Sequence, residues 1–141
     1  MIRFFDTSAL AKRYISENGS DLVRAALRTH LVSVARITYA ELAASIARAS
    51  RLGAITEVQR DTIMARLKSD FSHLTIVEIR AALVDLVPAL VLRHPLRGYD
   101  AVQLAAALTV RASGQAVEFW SADAALCQAA ETEGLRIVNP G

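Results

Sequence analysis

Four acidic residues stand at the ends of strand-like segments or within apolar helix-like segments, where they could act together. Asp6 directly follows the strand-like start of the chain, and Asp123 follows a second strand-like run. Asp100 begins an apolar helix-like segment, and Glu41 lies inside another. In an open α/β sheet, ligands bind in the crevice at the carboxyl ends of the strands. We therefore expect the four carboxylates to meet at that edge.

A cluster of this kind favours a divalent metal ion. Neighbouring carboxylates repel one another and resist ionising together unless a cation lies between them. Oxygen ligands without histidine or cysteine suit Mg²⁺ or Mn²⁺ better than Zn²⁺. Such ions activate water and stabilise the transition state of phosphodiester cleavage. The sequence therefore predicts a Mg²⁺ or Mn²⁺ site built from Asp6, Glu41, Asp100 and Asp123.

Three of these acids also have a purely structural explanation as helix caps. Asp6 is a favoured N-cap residue. Asp100 and Gln103 have the spacing of a capping box, and Asp123 would be a first-turn acid behind Ser121 as N-cap. Each explanation is good for one residue, but three independent caps and one unpaired helical glutamate would have to coincide. The joint pattern therefore favours a shared site.

Glu41 lies among alanines and larger aliphatic residues. Its neighbours at helical spacing are Ile37, Thr38, Ala44 and Ser45, and no arginine stands four residues on to pair with it. A carboxylate in such surroundings is costly unless it has a cation. The alternative is a partly exposed surface glutamate.

Strand-like and helix-like segments alternate along all 141 residues, and no linker, repeat or charge block divides them. This alternation predicts one α/β domain, residues 1–141, with a parallel sheet covered by helices on both faces. Strands are predicted at 2–5, 31–34, 74–77, 117–120 and 135–138. Helices are predicted at about 8–15, 20–29, 37–51, 56–71, 78–92 with a kink at Pro88, 100–112, and after Ser121 to about 131.

Charge and cysteine content narrow the class of protein. If four carboxylates surround a metal ion, the 16 basic and ten remaining acidic residues leave a net charge of +6, which favours a polyanionic partner. The alternative is a protein from an arginine-rich proteome. The longest apolar run, 81–92, is interrupted by Asp85 and Pro88 and is too short to span a bilayer. A single cysteine and the lack of a signal-peptide pattern predict a cytoplasmic protein without membrane contact.

The acidic segments, taken in order, resemble the four motifs of PIN-domain nucleases. They are Asp6-Thr7-Ser8-Ala9-Leu10, the Glu41-Leu42 helix, Gly98-Tyr99-Asp100-Ala101 and Ser121-Ala122-Asp123. Chain length and motif order are similar to those of VapC-type toxins from bacterial toxin–antitoxin pairs, and the resemblance covers nearly the whole chain.

This resemblance implies more than the composition does. It implies a five-stranded parallel sheet in the order 3-2-1-4-5 with helices on both faces, and Mg²⁺- or Mn²⁺-dependent cleavage of RNA. It also implies a homodimer and a small antitoxin partner. The metal would be held by the four acids, with Thr7, Ser8 and Ser121 as supporting residues.

Two other functions stay open. A catalytically silent PIN-like module would bind RNA or a protein without cleavage, and a metal-dependent phosphatase or small-molecule hydrolase would use the same acids. A phosphotransferase of the haloacid-dehalogenase type is disfavoured because Ser8 stands where its second aspartate is needed. Dinucleotide-binding and P-loop motifs are absent.

A few other residues allow alternative interpretations. Trp120, beside the predicted site, could stack on a base, although core packing is the more common role. Cys127 is predicted to be a small buried hydrophobe and His94 to be loop surface. Segments 9–27 and 37–64 hold many apolar residues, which either form core or expose a groove for an antitoxin helix.

Overall fold

The computed structural model describes residues 1–141 and contains five strands. They are β1 (Ile2–Phe5), β2 (Leu31–Ala35), β3 (Thr75–Val77), β4 (Val117–Trp120) and β5 (Arg136–Val138). All neighbouring pairs are parallel, and the order across the sheet is β3-β2-β1-β4-β5. This confirms the predicted parallel sheet and its strand order.

Eight helices connect and cover the strands. They are α1 (Thr7–Tyr14), α2 (Ser20–Ala26), α3 (Ile37–Arg51), α4 (Glu57–Phe71), α5 (Ala81–Val84), α6 (Val87–Arg93), α7 (Gly98–Ala112) and α8 (Ala124–Thr132). No helix among them combines the length and apolar character needed to cross a membrane.

The sheet has a hydrophobic core on each face because adjacent strand residues point in opposite directions. Phe4 stacks on Phe119 at a centroid distance of 5.7 Å, in the core shared with α7 and α8. Phe5 stacks on Trp120 at 4.9 Å, in the core shared with α1, α3 and α4. All four aromatic side chains are at most 3% exposed. Helices therefore cover both faces, as predicted.

The predicted single helix over 78–92 is wrong. The chain forms two short helices there, and Pro88 lies in the first turn of α6 rather than at a kink inside one helix. Proline lacks an N–H and its ring clashes with the carbonyl four residues earlier, so it is tolerated in a first turn but not in a helix interior. The first helix therefore ends at Val84.

A buried ion pair joins β1 to β4. Arg3 and Glu118 are register partners, and the Arg3 Nε donates to Glu118 Oε1 over 3.0 Å. The Trp120 Nε1–H donates to the same oxygen over 2.8 Å, and the Arg3 guanidinium lies over the Trp120 ring. The Glu118 side chain is only 5% exposed. One carboxylate thus satisfies two buried donors on neighbouring strands.

We expect Glu118→Ala to lower the free energy of unfolding by about 3 kcal/mol, because the nearly buried Arg3 guanidinium loses its carboxylate and keeps only neutral acceptors, the Ala26 carbonyl and the Thr29 hydroxyl. Urea titration followed by circular dichroism measures this change. Glu131→Ala removes an exposed glutamate from α8 and is the matched control. Equal stability of the two variants would contradict a structural role for the ion pair.

Candidate active site

Asp6 lies at the carboxyl end of β1, where the strand turns into α1. It is the N-cap of α1, and its Oδ1 accepts a hydrogen bond from the Ala9 N–H over 2.9 Å. The Ser8 hydroxyl lies 2.8 and 2.9 Å from the two carboxylate oxygens, and the Ser121 hydroxyl donates to Oδ2 over 2.7 Å. Asp6 is 3% exposed. Asp6 therefore caps α1 and also places its carboxylate at the edge of the sheet where the site was predicted.

The Ser8 and Ser121 hydroxyls connect the end of β1 to the segment after β4. The Ser8 Oγ accepts a hydrogen bond from the Ala122 N–H over 2.9 Å, and the Ser121 Oγ accepts one from the Asp123 N–H over 3.1 Å. Because β1 and β4 are parallel neighbours, both segments leave the same edge of the sheet. The two serines therefore link the Asp6 carboxylate to the backbone that carries Asp123.

Glu41 reaches the same region from α3. Its Oε1 accepts a hydrogen bond from the Thr7 hydroxyl over 2.7 Å and another from the Gln103 amide over 3.2 Å. It forms no ion pair with any arginine or lysine. Thr7, Ser8 and Ser121 were the three predicted supporting residues, and the structure places each in contact with one of the acids.

Asp123 and Asp100 occupy different helix positions from those predicted. Asp123, not Ser121, is the N-cap of α8, and it accepts a hydrogen bond from the Leu126 N–H over 3.0 Å. The Ser121 hydroxyl is instead engaged with Asp6 and with the Asp123 N–H. Asp100 lies in the first turn of α7 and forms no capping box, because the Gln103 amide faces the Glu41 side of the helix.

The pKa values show that the carboxylates lie within one another's electrostatic field. Burial raises the pKa of Asp6 to about 6 despite the hydrogen bonds that favour its charged form, and the charge of Asp123 adds to the rise. The pKa of Asp100 is also raised, first by burial and then by the charges of Asp123 and Glu41. The structure therefore brings the four acids to one edge, where the charge of Arg97 offsets only part of the rise in the pKa of Asp100.

The oxygen donors of this site fit a hard, partly hydrated metal ion. No three histidine, cysteine, aspartate or glutamate side chains come close enough together to enclose an ion directly. Mg²⁺ commonly keeps several water ligands and binds proteins through one or two carboxylates. The excess of negative charge and the all-oxygen donor set suit such an ion, whereas an all-protein cage of four carboxylates is not formed.

A basic and aromatic rim borders the acids; the sequence alone suggested arginines there but did not identify Arg97 or Tyr99 as rim residues. A cavity of about 380 Å³ is lined in part by Arg97, Tyr99, Asp100 and Asp123. The Arg97 Nη1 donates to the Tyr99 hydroxyl over 3.1 Å, and Asp100 and Asp123 contribute to raising the pKa of the guanidinium. The only sequence signal was proximity, since Arg97 lies three positions and Tyr99 one position before Asp100. The cavity could accept a phosphate beside the acids.

Three residues near the site have other roles. Trp120 is 3% exposed and packed on Phe5, so the suggestion that it stacks on a base is wrong. His94 is 8% exposed and its Nε2 lies 2.6 Å from Glu133 Oε2, so it is not loop surface. Cys127 is buried, as predicted, and its thiol donates to the Ser121 carbonyl over 3.2 Å.

In metal-free buffer, we expect Asp6→Asn to raise the free energy of unfolding at pH 8 but not at pH 4. The folded pKa of about 6 lies above the usual 3.8, so stability is full below pH 3.8 and is lost as pH rises through 6. The neutral amide avoids this loss, which is at most about 3 kcal/mol. Denaturant titrations at the two pH values, with Asp85→Asn as an exposed control, measure it. A pH-independent difference would contradict the raised pKa.

Comparison with known proteins identifies the family to which this fold belongs. The PIN domain family matches residues 3–132 of the chain. Ribonuclease VapC45 of Mycobacterium tuberculosis (strain CDC 1551 / Oshkosh) is 32% identical over 135 residues, which are 95% of this chain and 92% of that protein.

Two solved structures share the fold over almost the whole chain. A toxin–antitoxin complex from Klebsiella pneumoniae gives a TM-score of 0.66 at 19% identity and covers 99% of this chain and 98% of that one. VapC20 of Mycobacterium tuberculosis, described as a sarcin-ricin loop cleaving toxin, gives a TM-score of 0.67 at 16% identity and covers 98% of this chain and 99% of that one. The chain therefore belongs to the PIN-domain family and resembles its VapC-type members.

Proposed function

We propose that this protein is a metal-dependent endoribonuclease and the toxin of a toxin–antitoxin pair. The observation that carries the proposal is the gathering of Asp6, Glu41, Asp100 and Asp123 at one edge of the sheet, where none of them forms an ion pair with a lysine or arginine. Relatives named as ribonucleases, VapC45 and VapC49, support the choice of RNA as substrate.

The four acids would hold Mg²⁺ or Mn²⁺, partly through water. When bound, such an ion supplies Lewis-acid stabilisation of the phosphodiester and a more acidic water molecule. Ser8, Ser121 and the Ala9 N–H fix the orientation of Asp6 from within the protein. The acids are thereby held in place before substrate arrives, which reduces reorganisation during the reaction.

The rim would bind the nucleic acid. The Arg97 guanidinium is exposed, and its planar donors match the geometry of phosphate oxygens. Tyr99 is 47% exposed and offers an aromatic face on which a base can stack. Both residues adjoin Asp100, so a backbone phosphate bound by Arg97 would lie beside the acids.

We expect Asp6→Asn and Asp100→Asn each to reduce RNA cleavage by about 100-fold or more, because each weakens binding of the ion that stabilises the transition state. Pure protein is incubated with RNA in Mg²⁺, in Mn²⁺ and in EDTA, and products are resolved on gels. Asp85→Asn changes an exposed carboxylate outside the site and should keep full activity.

The same assay separates the alternatives. A catalytically silent module would retain RNA without cleaving it in any metal. A phosphatase would release p-nitrophenol from p-nitrophenyl phosphate in a metal-dependent way and leave RNA intact. Equal RNA cleavage by all variants, with and without EDTA, would show that the cleavage does not use these acids.

An antitoxin partner is proposed for an exposed apolar face. A groove of about 420 Å³ is lined by residues that include Tyr14, Ile55, Val58 and Ile63, between the end of α1 and the start of α4. Val58 is 77% exposed, and nearby in sequence Leu52 is 72% exposed. Both lie in segment 37–64, for which the sequence left open either ordinary core or an exposed groove. An amphipathic antitoxin helix would bury these side chains.

We expect Val58→Asp to weaken antitoxin binding by at least about tenfold, since it places a charge in an apolar contact. The small protein encoded next to this gene is co-purified and its affinity measured by calorimetry. Val84→Asp, an exposed valine on α5, is the matched control. Unchanged affinity for Val58→Asp would exclude this face.

We also propose that the free toxin is a homodimer, as its resemblance to VapC-type toxins implies. Light scattering tests this proposal, because a homodimer has twice the chain mass of 15.2 kDa.

A further inference from the structure

A closed hydrogen-bond network lies behind Glu41 and uses two residues that have no assigned role, Thr38 and Gln103. Thr38 is fully buried and Gln103 is 3% exposed. The Gln103 Nε2 lies 2.8 Å from Thr38 Oγ1, 3.2 Å from Thr7 Oγ1 and 3.2 Å from Glu41 Oε1. The two threonine hydroxyls are 3.0 Å apart. Helices α1, α3 and α7 each contribute to this network.

The directions of the hydrogen bonds follow from the number of available protons. Thr7 has one hydroxyl proton, which it gives to Glu41 over 2.7 Å. The Gln103 NH₂ group can only donate, so the Thr38 hydroxyl accepts from it and gives its own proton to Thr7. Donation therefore runs in one direction, from Gln103 through Thr38 and Thr7 to Glu41 Oε1. No protein donor contacts Glu41 Oε2, which remains free.

The Gln103 carbonyl oxygen shows that this amide does more than fill space. It is buried and has no hydrogen-bond partner. An unpaired buried acceptor costs free energy, and a leucine would fill a similar volume without that cost. Turning the amide over would place its carbonyl against the Glu41 carboxylate, so the observed orientation is the one that serves Glu41.

We infer that Gln103 and Thr38 are positioning residues that hold Glu41 Oε1 and thereby direct Oε2 towards the metal ion. The inference rests on the proposed function, because it assigns a task to Glu41 in metal binding. Residues that orient a metal ligand through hydrogen bonds commonly change metal affinity by about 10- to 100-fold when they are replaced.

The test measures Mn²⁺ binding directly, by electron paramagnetic resonance of free Mn²⁺, on the full chain without RNA. Gln103→Leu and Thr38→Val should each weaken binding by about tenfold. Thr38→Ser keeps the hydroxyl and should restore the affinity. Thr109→Val is the matched control, because its hydroxyl bonds only to the Ala105 carbonyl within α7. A role confined to stability would lower the melting temperature of Gln103→Leu but leave its Mn²⁺ affinity unchanged.

A second measurement needs no folded variant. In wild-type protein, titration with Mg²⁺ should shift the side-chain amide signals of Gln103 in the ¹⁵N–¹H spectrum, because its acceptor Glu41 gains a cation. The inference, but not the proposed metal site, is overturned by either of two results. One is that the Gln103 signals do not move during saturable Mg²⁺ binding, and the other is that folded Gln103→Leu binds Mn²⁺ with wild-type affinity. If wild-type protein binds neither ion, or if its affinity for them is no higher than that of Asp100→Asn, the proposed metal site itself is overturned.

Discussion

The burial of carboxylates beside one another at the edge of the sheet is the constraint on which the site depends. Burial opposes the charge of Asp6, and the Ser8, Ser121 and Ala9 donors offset only part of that penalty, since its pKa remains about 6. Burial, and then the charges of Asp123 and Glu41, also raise the pKa of Asp100. The fold thus holds carboxylates where their charged forms are disfavoured, a cost that the proposed divalent cation would relieve.

The rest of the domain keeps those groups in place. Strands β1 and β4 lie side by side, with stacked aromatic residues on both faces, so the two segments that leave them are held at a fixed separation. The Arg3–Glu118 pair joins the same two strands. Helix α3 carries Glu41, and helix α7 carries Asp100 in its first turn. Hydroxyl and amide groups, rather than cations, make the local links, and the negative charge is therefore preserved.

Charge of the opposite sign is placed at the periphery. Arg97 lies on the rim of the acidic cavity, close enough to act on the charge of Asp100 and exposed enough for the proposed contact with a phosphate. The apolar groove that contains Val58 is formed by other elements, the end of α1 and the start of α4. Catalysis and partner binding can therefore use separate surfaces of the same small domain, so a change in one surface need not disturb the other.

The sequence by itself determined the alternation of strands and helices and the packing of helices on both faces, because these follow from local hydrophobic patterns. It also singled out the four acids as candidates, from their residue type and their positions after strands or in apolar helices. Only the tertiary structure decided what each polar side chain contacts. Gln103 has the spacing of a capping box but reaches Thr38, 65 residues away in the chain. His94 is buried by Glu133, 39 residues on, and Trp120 by Phe5 on the neighbouring strand. Such partners are brought together by the folded sheet, so no local pattern contains them.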